Sequence, residues 1–205
     1  MGARVSLGQY YRFGYLSSNF EYGTFFENSL AQQSAFTAQG NYFTNLLEAG
    51  KWKFRHFIKA RAVIGNSRQP SRGDLLTLNE NPNGIAGFDS RELFGDKKIL
   101  LTWQTQAYAP WNFIGFRLNP YFNYSLGFLA PQGGSIFDSR AYSKIGLGII
   151  VSNDYLVFST FQISLAYYPI LPGSGENLFK TNAFSTTDFG YLNFDLAKPR
   201  TVDYE

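Results

Sequence analysis

One histidine, His56, and no cysteine occur in the 205 residues, which removes disulfides and thiolate metal sites from consideration. Residue parity puts His56 on an apolar stripe with Trp52, Phe54 and Ile58, the setting of an isolated interfacial histidine and not of a general base. Serines are numerous, yet none lies in the Gly-x-Ser-x-Gly context of a strand–turn–helix nucleophile. The acidic residues Asp74, Glu80, Asp89, Asp138, Glu176 and Asp188 fall in connecting segments, and no spacing among them makes a metal-binding loop. Gly173-Ser174-Gly175 and Gln132-Gly133-Gly134 lack the following helix that a phosphate cradle needs. The expectation is a protein that is not an enzyme, with no cofactor and no metal. What remains is a basic row, Lys53, Arg55, Lys59 and Arg61, with Arg117 in a later segment. Such a row lines a hydrated path, selects anions, or meets acidic groups such as Glu21 and Glu27. A formal charge of only +3, with basic residues scattered along the chain, gives nucleic acid no footprint.

Alternation is what places those residues. Side chains of a strand point to opposite faces in turn, so parity tests each segment. From residue 114 to 128 the even positions include Phe116, Leu118, Phe122, Tyr124, Leu126 and Phe128, while the odd ones include Arg117, Asn119, Asn123, Ser125 and Gly127. Phe161, Ile163 and Leu165 alternate with Gln162 and Ser164, and Ile145, Leu147 and Ile149 with Lys144, Gly146 and Gly148. Ile99, Leu101 and Trp103 oppose Thr102 and Gln104, and Val5, Leu7 and Tyr11 oppose Arg4, Ser6 and Gly8. Roughly nine such segments make the chain all-β and antiparallel.

A soluble sheet with one wet face has the same period. Three features favour a transmembrane β-barrel instead. Short links near residues 16–17, 47–50, 110–111 and 153–154 alternate with long ones near 29–33, 66–96, 129–141 and 170–186, as the two rims of an outer-membrane barrel require. Several segments reach a dozen residues, against about five or six in ordinary sheets. Aromatic residues gather at segment ends (Tyr10, Tyr11, Trp52, Tyr108, Trp111, Tyr155, Tyr167, Tyr168), as interfacial girdles do. Aromatics make up 19% of the chain and charged residues 16%, which suits a structure rich in β-forming aromatic residues. No signal peptide opens the sequence and the first segment enters from the long-loop side, so residues 1–205 are read as the C-terminal part of a larger barrel domain.

The stretch Gly84-Ile85-Ala86-Gly87-Phe88-Asp89-Ser90-Arg91-Glu92-Leu93-Phe94-Gly95-Asp96 ends the longest connection, residues 66–96, just before a strand. It resembles the inward-folding loop of the BamA/TamA-like bacterial surface antigen superfamily, the outer-membrane assembly and translocation barrels, whose tip carries Val-Arg-Gly-Phe/Tyr. Ile85, Gly87 and Phe88 match, and Ala86 stands at the arginine position. The following segments, through Thr102-Trp103-Gln104, Phe122–Gly127, Gly146-Leu147-Gly148 and Ile163–Tyr167, are similar to the family's last strands. Aligned on Gly127, Ser125 takes the place of the aspartate that holds the family arginine, so both partners are neutral and neither leaves an unpaired buried charge.

The resemblance implies about nine strands of a roughly sixteen-stranded barrel in a bacterial outer membrane. The implied function is insertion or export of polypeptides without covalent chemistry. Ile85, Ala86, Gly87 and Phe88 then form a lumen loop motif, Ser125 and Gly127 the strand facing it, and residues 188–196 a seam strand. The implied partners are outer-membrane lipid, polypeptide clients or an upstream periplasmic or passenger domain. Two alternatives stay open: a barrel anchoring an upstream hydrolase, and a passive anion-preferring porin lined by the basic row.

Overall fold

The computed structural model of the chain describes residues 2–27, 30–67, 75–113, 115–131, 133–153, 160–171 and 178–182. The strands are β1 (Gly2–Tyr11), β2 (Gly14–Glu27), β3 (Leu30–Thr44), β4 (Leu47–Ala49), β5 (Trp52–Asn66), β6 (Lys97–Tyr108), β7 (Asn112–Phe113), β8 (Phe116–Ala130), β9 (Ala141–Asn153), β10 (Thr160–Tyr167) and β11 (Phe179–Thr181). All eleven belong to one antiparallel sheet whose path runs β1-β2-β3-β5-β6-β8-β9-β10-β11. Sequence neighbours are spatial neighbours, and the two short strands fold back at hairpin ends, β4 on β5 and β7 on β8. Among the described residues β1 and β11 do not pair with each other, so the sheet has two edges. Four path strands precede the long connection and five follow it among the described residues, the fifth being β11 in a segment expected to be loop.

Register fixes which side chains share a face. Lys59 pairs with Thr102, Thr102 with Ser125 and Ser125 with Lys144, so one face carries a continuous polar row. Ile58 pairs with Trp103, Trp103 with Tyr124 and Tyr124 with Ile145, which makes the other face apolar. The burial of the two faces is the reverse of a water-soluble sheet. Thr102, Gln104, Asn123, Ser125, Lys98 and Lys144 are buried, whereas Val5, Leu7, Leu147, Ile163 and Leu165 are each exposed by between 47 and 63%, far beyond what an apolar core position tolerates.

The connections differ from expectation at several places. The first hairpin turns at Arg12–Phe13, not at residues 16–17: Tyr11 pairs with Gly14, and Leu16 and Ser17 lie in the ladder. Gly14 has φ +142°, and a Cβ there would fall 2.0 Å from the Phe43 carbonyl oxygen, so the turn admits only glycine. Residues 30–33 of the long link expected at 29–33 belong to β3, which pairs with β2 as far as Glu27 opposite Leu30, with a register shift between Phe25 and Phe26. Within β3, Gln33 pairs with Phe25 and Ser34 with Thr24. The segment at 170–186 contains β11, registered on β10 through Leu165↔Thr181. Residues 188–196, expected as a seam strand, lie outside the described residues.

Candidate functional site

Residues 75–96 lie on the polar face and supply Leu76, Leu78, Ile85 and Phe88 to the one large apolar cluster among the described residues, together with Val63, Leu100, Leu129, Tyr142, Ala166 and Tyr168. The segment is a closed clasp. Leu76 and Gly95 exchange backbone hydrogen bonds (2.8 and 3.0 Å), the Ile85 amide donates to Leu78 O (3.0 Å), and the Glu80 amide donates to Phe88 O (2.8 Å). The Asn79 side chain grips Ser90 from both directions, donating to Ser90 O (2.9 Å) and accepting from the Ser90 amide (2.8 Å). Gly87, at φ +72°, turns the tip in the left-handed region that a side chain disfavours.

Each end of the sequence-derived motif has a place. Ile85 and Phe88 are fully buried, Phe88 edge-on to Tyr142 (5.9 Å) and beside Tyr168 (6.3 Å). Gly127 is the seat: a Cβ on it would stand 2.9 Å from Leu78 Cδ2 and 3.1 Å from Ile85 Cδ1. Ser125 sits in a polar ladder, facing the Thr102 hydroxyl (3.4 Å) and donating to Asn123 Oδ1 (3.4 Å), while the Asn123 amide donates to Gln104 Oε1 (3.2 Å). Ala86 contributes its carbonyl, which accepts from the Tyr168 hydroxyl at 2.7 Å.

The basic row does not act as a unit. Lys53 pairs with Glu48 (3.1 Å) at the hairpin end, Arg55 lies over the Phe43 ring (5.4 Å), and Arg61 donates to Gln39 Oε1 (3.0 Å). Lys59 donates to the loop at Pro82 O (3.3 Å). Arg117 is exposed in β8, opposite Ser152 and Asn112. Glu21, expected opposite this row, pairs with Arg4 at 3.0 Å, because β1 and β2 place the two in direct register. His56 meets Thr105 through Nδ1 (2.8 Å) on the apolar face, a satisfied histidine.

Two of the residues that hold the loop, Lys98 and Lys180, were not singled out in the sequence. Lys98, buried, donates to Thr77 O (3.1 Å), and Lys180 to Gly87 O (2.9 Å). With Lys59 and Tyr168 they place four wall donors on loop carbonyls. Burial, with Glu80 nearby, pushes the Tyr168 hydroxyl above its ordinary range, so it stays protonated and donating. Tyr168 had been expected in an outer girdle, yet it is fully buried on the polar face. Tyr10 also shares that face, packed against Tyr15 (4.7 Å). Parity extended from Thr102 and Gln104 back to Lys98 was the available signal; Lys180 had none, since its segment read as loop.

Comparison with protein-family models, with curated proteins and with solved structures gives no match to this chain. Among the described residues no helix is long and apolar enough to cross a membrane, which says nothing of a β-barrel, and no acidic or histidine cluster is arranged to hold a metal.

Proposed function

We propose that the chain is part of a bacterial outer-membrane β-barrel of the BamA/TamA-like assembly or translocation type, which handles polypeptides without covalent chemistry. One observation carries the reading: a loop tip with the Ile85, Gly87 and Phe88 pattern is seated at Gly127 on a polar sheet face, while large apolar side chains cover the opposite face. In water, the exposed apolar face would be an aggregation surface far larger than a soluble monomer keeps. In lipid it is the favourable arrangement, because outward residues meet hydrocarbon and inward ones meet a hydrated lumen. Closure of the sheet by further strands belongs to the same proposal, since an open edge has no partners for its backbone in hydrocarbon.

The passive porin is the weaker reading. The loop covers the polar face that a solute path needs, and Lys59 spends its ammonium on the loop carbonyl of Pro82. An upstream hydrolase is compatible with the same barrel and gains no support from these residues.

The test is reconstitution of the intact protein into lipid vesicles, followed by addition of a urea-unfolded outer-membrane barrel. Faster client folding than in protein-free vesicles is the expected result. No acceleration, together with steady anion-selective conductance in planar bilayers, would overturn the assembly reading in favour of a channel.

A further inference from the structure

We propose that Tyr168 and Lys180 are positioning residues forming a latch that ties the tip of the 75–96 loop to β11, so that the loop and the last described strand are held or released together. The inference rests on the loop being seated in a barrel, not on the nature of any client.

Adjacent carbonyls at the loop tip face the same two elements. Ala86 O accepts from the Tyr168 hydroxyl at 2.7 Å, and Gly87 O accepts from the Lys180 ammonium at 2.9 Å. The φ of +72° at Gly87 turns the chain just where these two carbonyls are presented. Lys180 also lies 5.7 Å from the centre of the Tyr168 ring, so each donor steadies the other. Phe88 then packs its ring 6.3 Å from Tyr168. Both wall groups come from the β10–β11 edge: Tyr168 directly follows β10, and Lys180 is the middle residue of β11.

Among the described residues that edge has the fewest registered pairs in the path. β11 has three registered pairs with β10, whereas β8 and β9 share thirteen. Flanking bonds add little length, with the Tyr168 amide on Leu178 O and the Asn182 amide on Ser164 O, both at 2.7 Å. A strand this short is drawn from the low-stability end of a fold and leans on side-chain anchors. Its anchor is the loop. Losing the tip removes the acceptor of Lys180, and losing β11 removes a donor from the tip; the coupling is reciprocal by linkage.

The latch also accounts for the neutral pair at Ala86 and Ser125. Main-chain carbonyls serve as acceptors, so the tip needs no charged side chain and the wall needs no carboxylate. A charged donor to a carbonyl is among the stronger hydrogen bonds available, and here it is sheltered by the ring below it.

The experiment uses the intact protein in vesicles, which is convenient because these residues include no cysteine. Ser125→Cys, at a buried wall position, reports maleimide access when the loop lifts. A Leu165→Cys, Thr181→Cys pair, opposite each other in the ladder, reports β11 pairing by oxidative cross-linking. Lys180→Met is expected to raise the labelling rate by about tenfold or more and to slow cross-linking in parallel, the scale of one lost charged hydrogen bond. Lys180→Arg, which keeps a cationic donor, is expected to restore both. Tyr168→Phe should raise labelling less, with folding verified for every variant by heat-modifiable gel mobility. If Lys180→Met is folded and leaves either readout unchanged, the latch is wrong. Full coupling in a protein without activity on unfolded clients would sink the functional reading and leave the latch standing.

Discussion

Replacing Gly127 by valine tests whether the loop is seated where the geometry puts it. An added Cβ meets Leu78 Cδ2 at 2.9 Å and Ile85 Cδ1 at 3.1 Å. The closer contact is roughly 0.6–1.1 Å short of the separation of about 3.5–4.0 Å at which carbon atoms pack. For alanine, two flexible side-chain ends give way and the loop stays. Valine adds two further methyls into the same space, and neither Leu78 nor Ile85 has exposed room to retreat into. Overpacking of this kind costs about 1–3 kcal/mol. The loop is the only partner able to move away, because β8 is pinned in the ladder by β6 and β9. The opening equilibrium of the loop should therefore shift by roughly 5- to 150-fold. Hydrogen exchange reads this directly, since the Ile85 and Phe88 amides donate to Leu78 O and Ile85 O inside the clasp. In Gly127→Val those amides should exchange faster by that factor while the β8–β9 amides keep their protection; Gly127→Ala should change little. Unaltered protection of the clasp in a folded Gly127→Val protein would refute the seating.

Lys98→Met keeps the stem but strips the donor from Thr77 O, and should destabilise the loop by about 1–3 kcal/mol, measured by the same exchange. Leu147→Lys, at the middle of β9, should cost about 2–4 kcal/mol when lipid faces it, but only about 0.5 kcal/mol or less if water does, as read by urea unfolding in vesicles. The raised pKa of Tyr168 sets a sign in pH. Its folded value lies above its unfolded one, so its contribution is complete below about pH 10 and fades as pH rises beyond that. Alkaline exchange of the loop should show this loss, and Tyr168→Phe should reduce it.

Much of the fold was legible because a two-sided environment writes a period of two into every strand. Phe122, Tyr124 and Leu126 against Asn123, Ser125 and Gly127 gave the faces of β8 correctly, and residue counts gave the span of the long connection. Turns were harder. Between Tyr11 and Gly14 aromatic residues continue through the hairpin, so parity carries no mark of it, and only Gly14 betrays the close approach to Phe43. The long link expected at residues 29–33 is strand from Leu30 onward, because pairing with β2 and not local polarity decides the conformation there. The loop contacts were invisible for a different reason. Lys98, Tyr168 and Lys180 bind main-chain carbonyls, which every residue has, and so leave no complementary side chain in the sequence to find.

The central claim is that hydrocarbon covers the apolar face. Spin labels placed singly along β9 in the intact, vesicle-embedded protein decide it: collision with oxygen should peak at Ile145, Leu147 and Ile149 and fall at Lys144 and Ser152. Preferential collision of the first three with a water-soluble nickel complex would contradict the account.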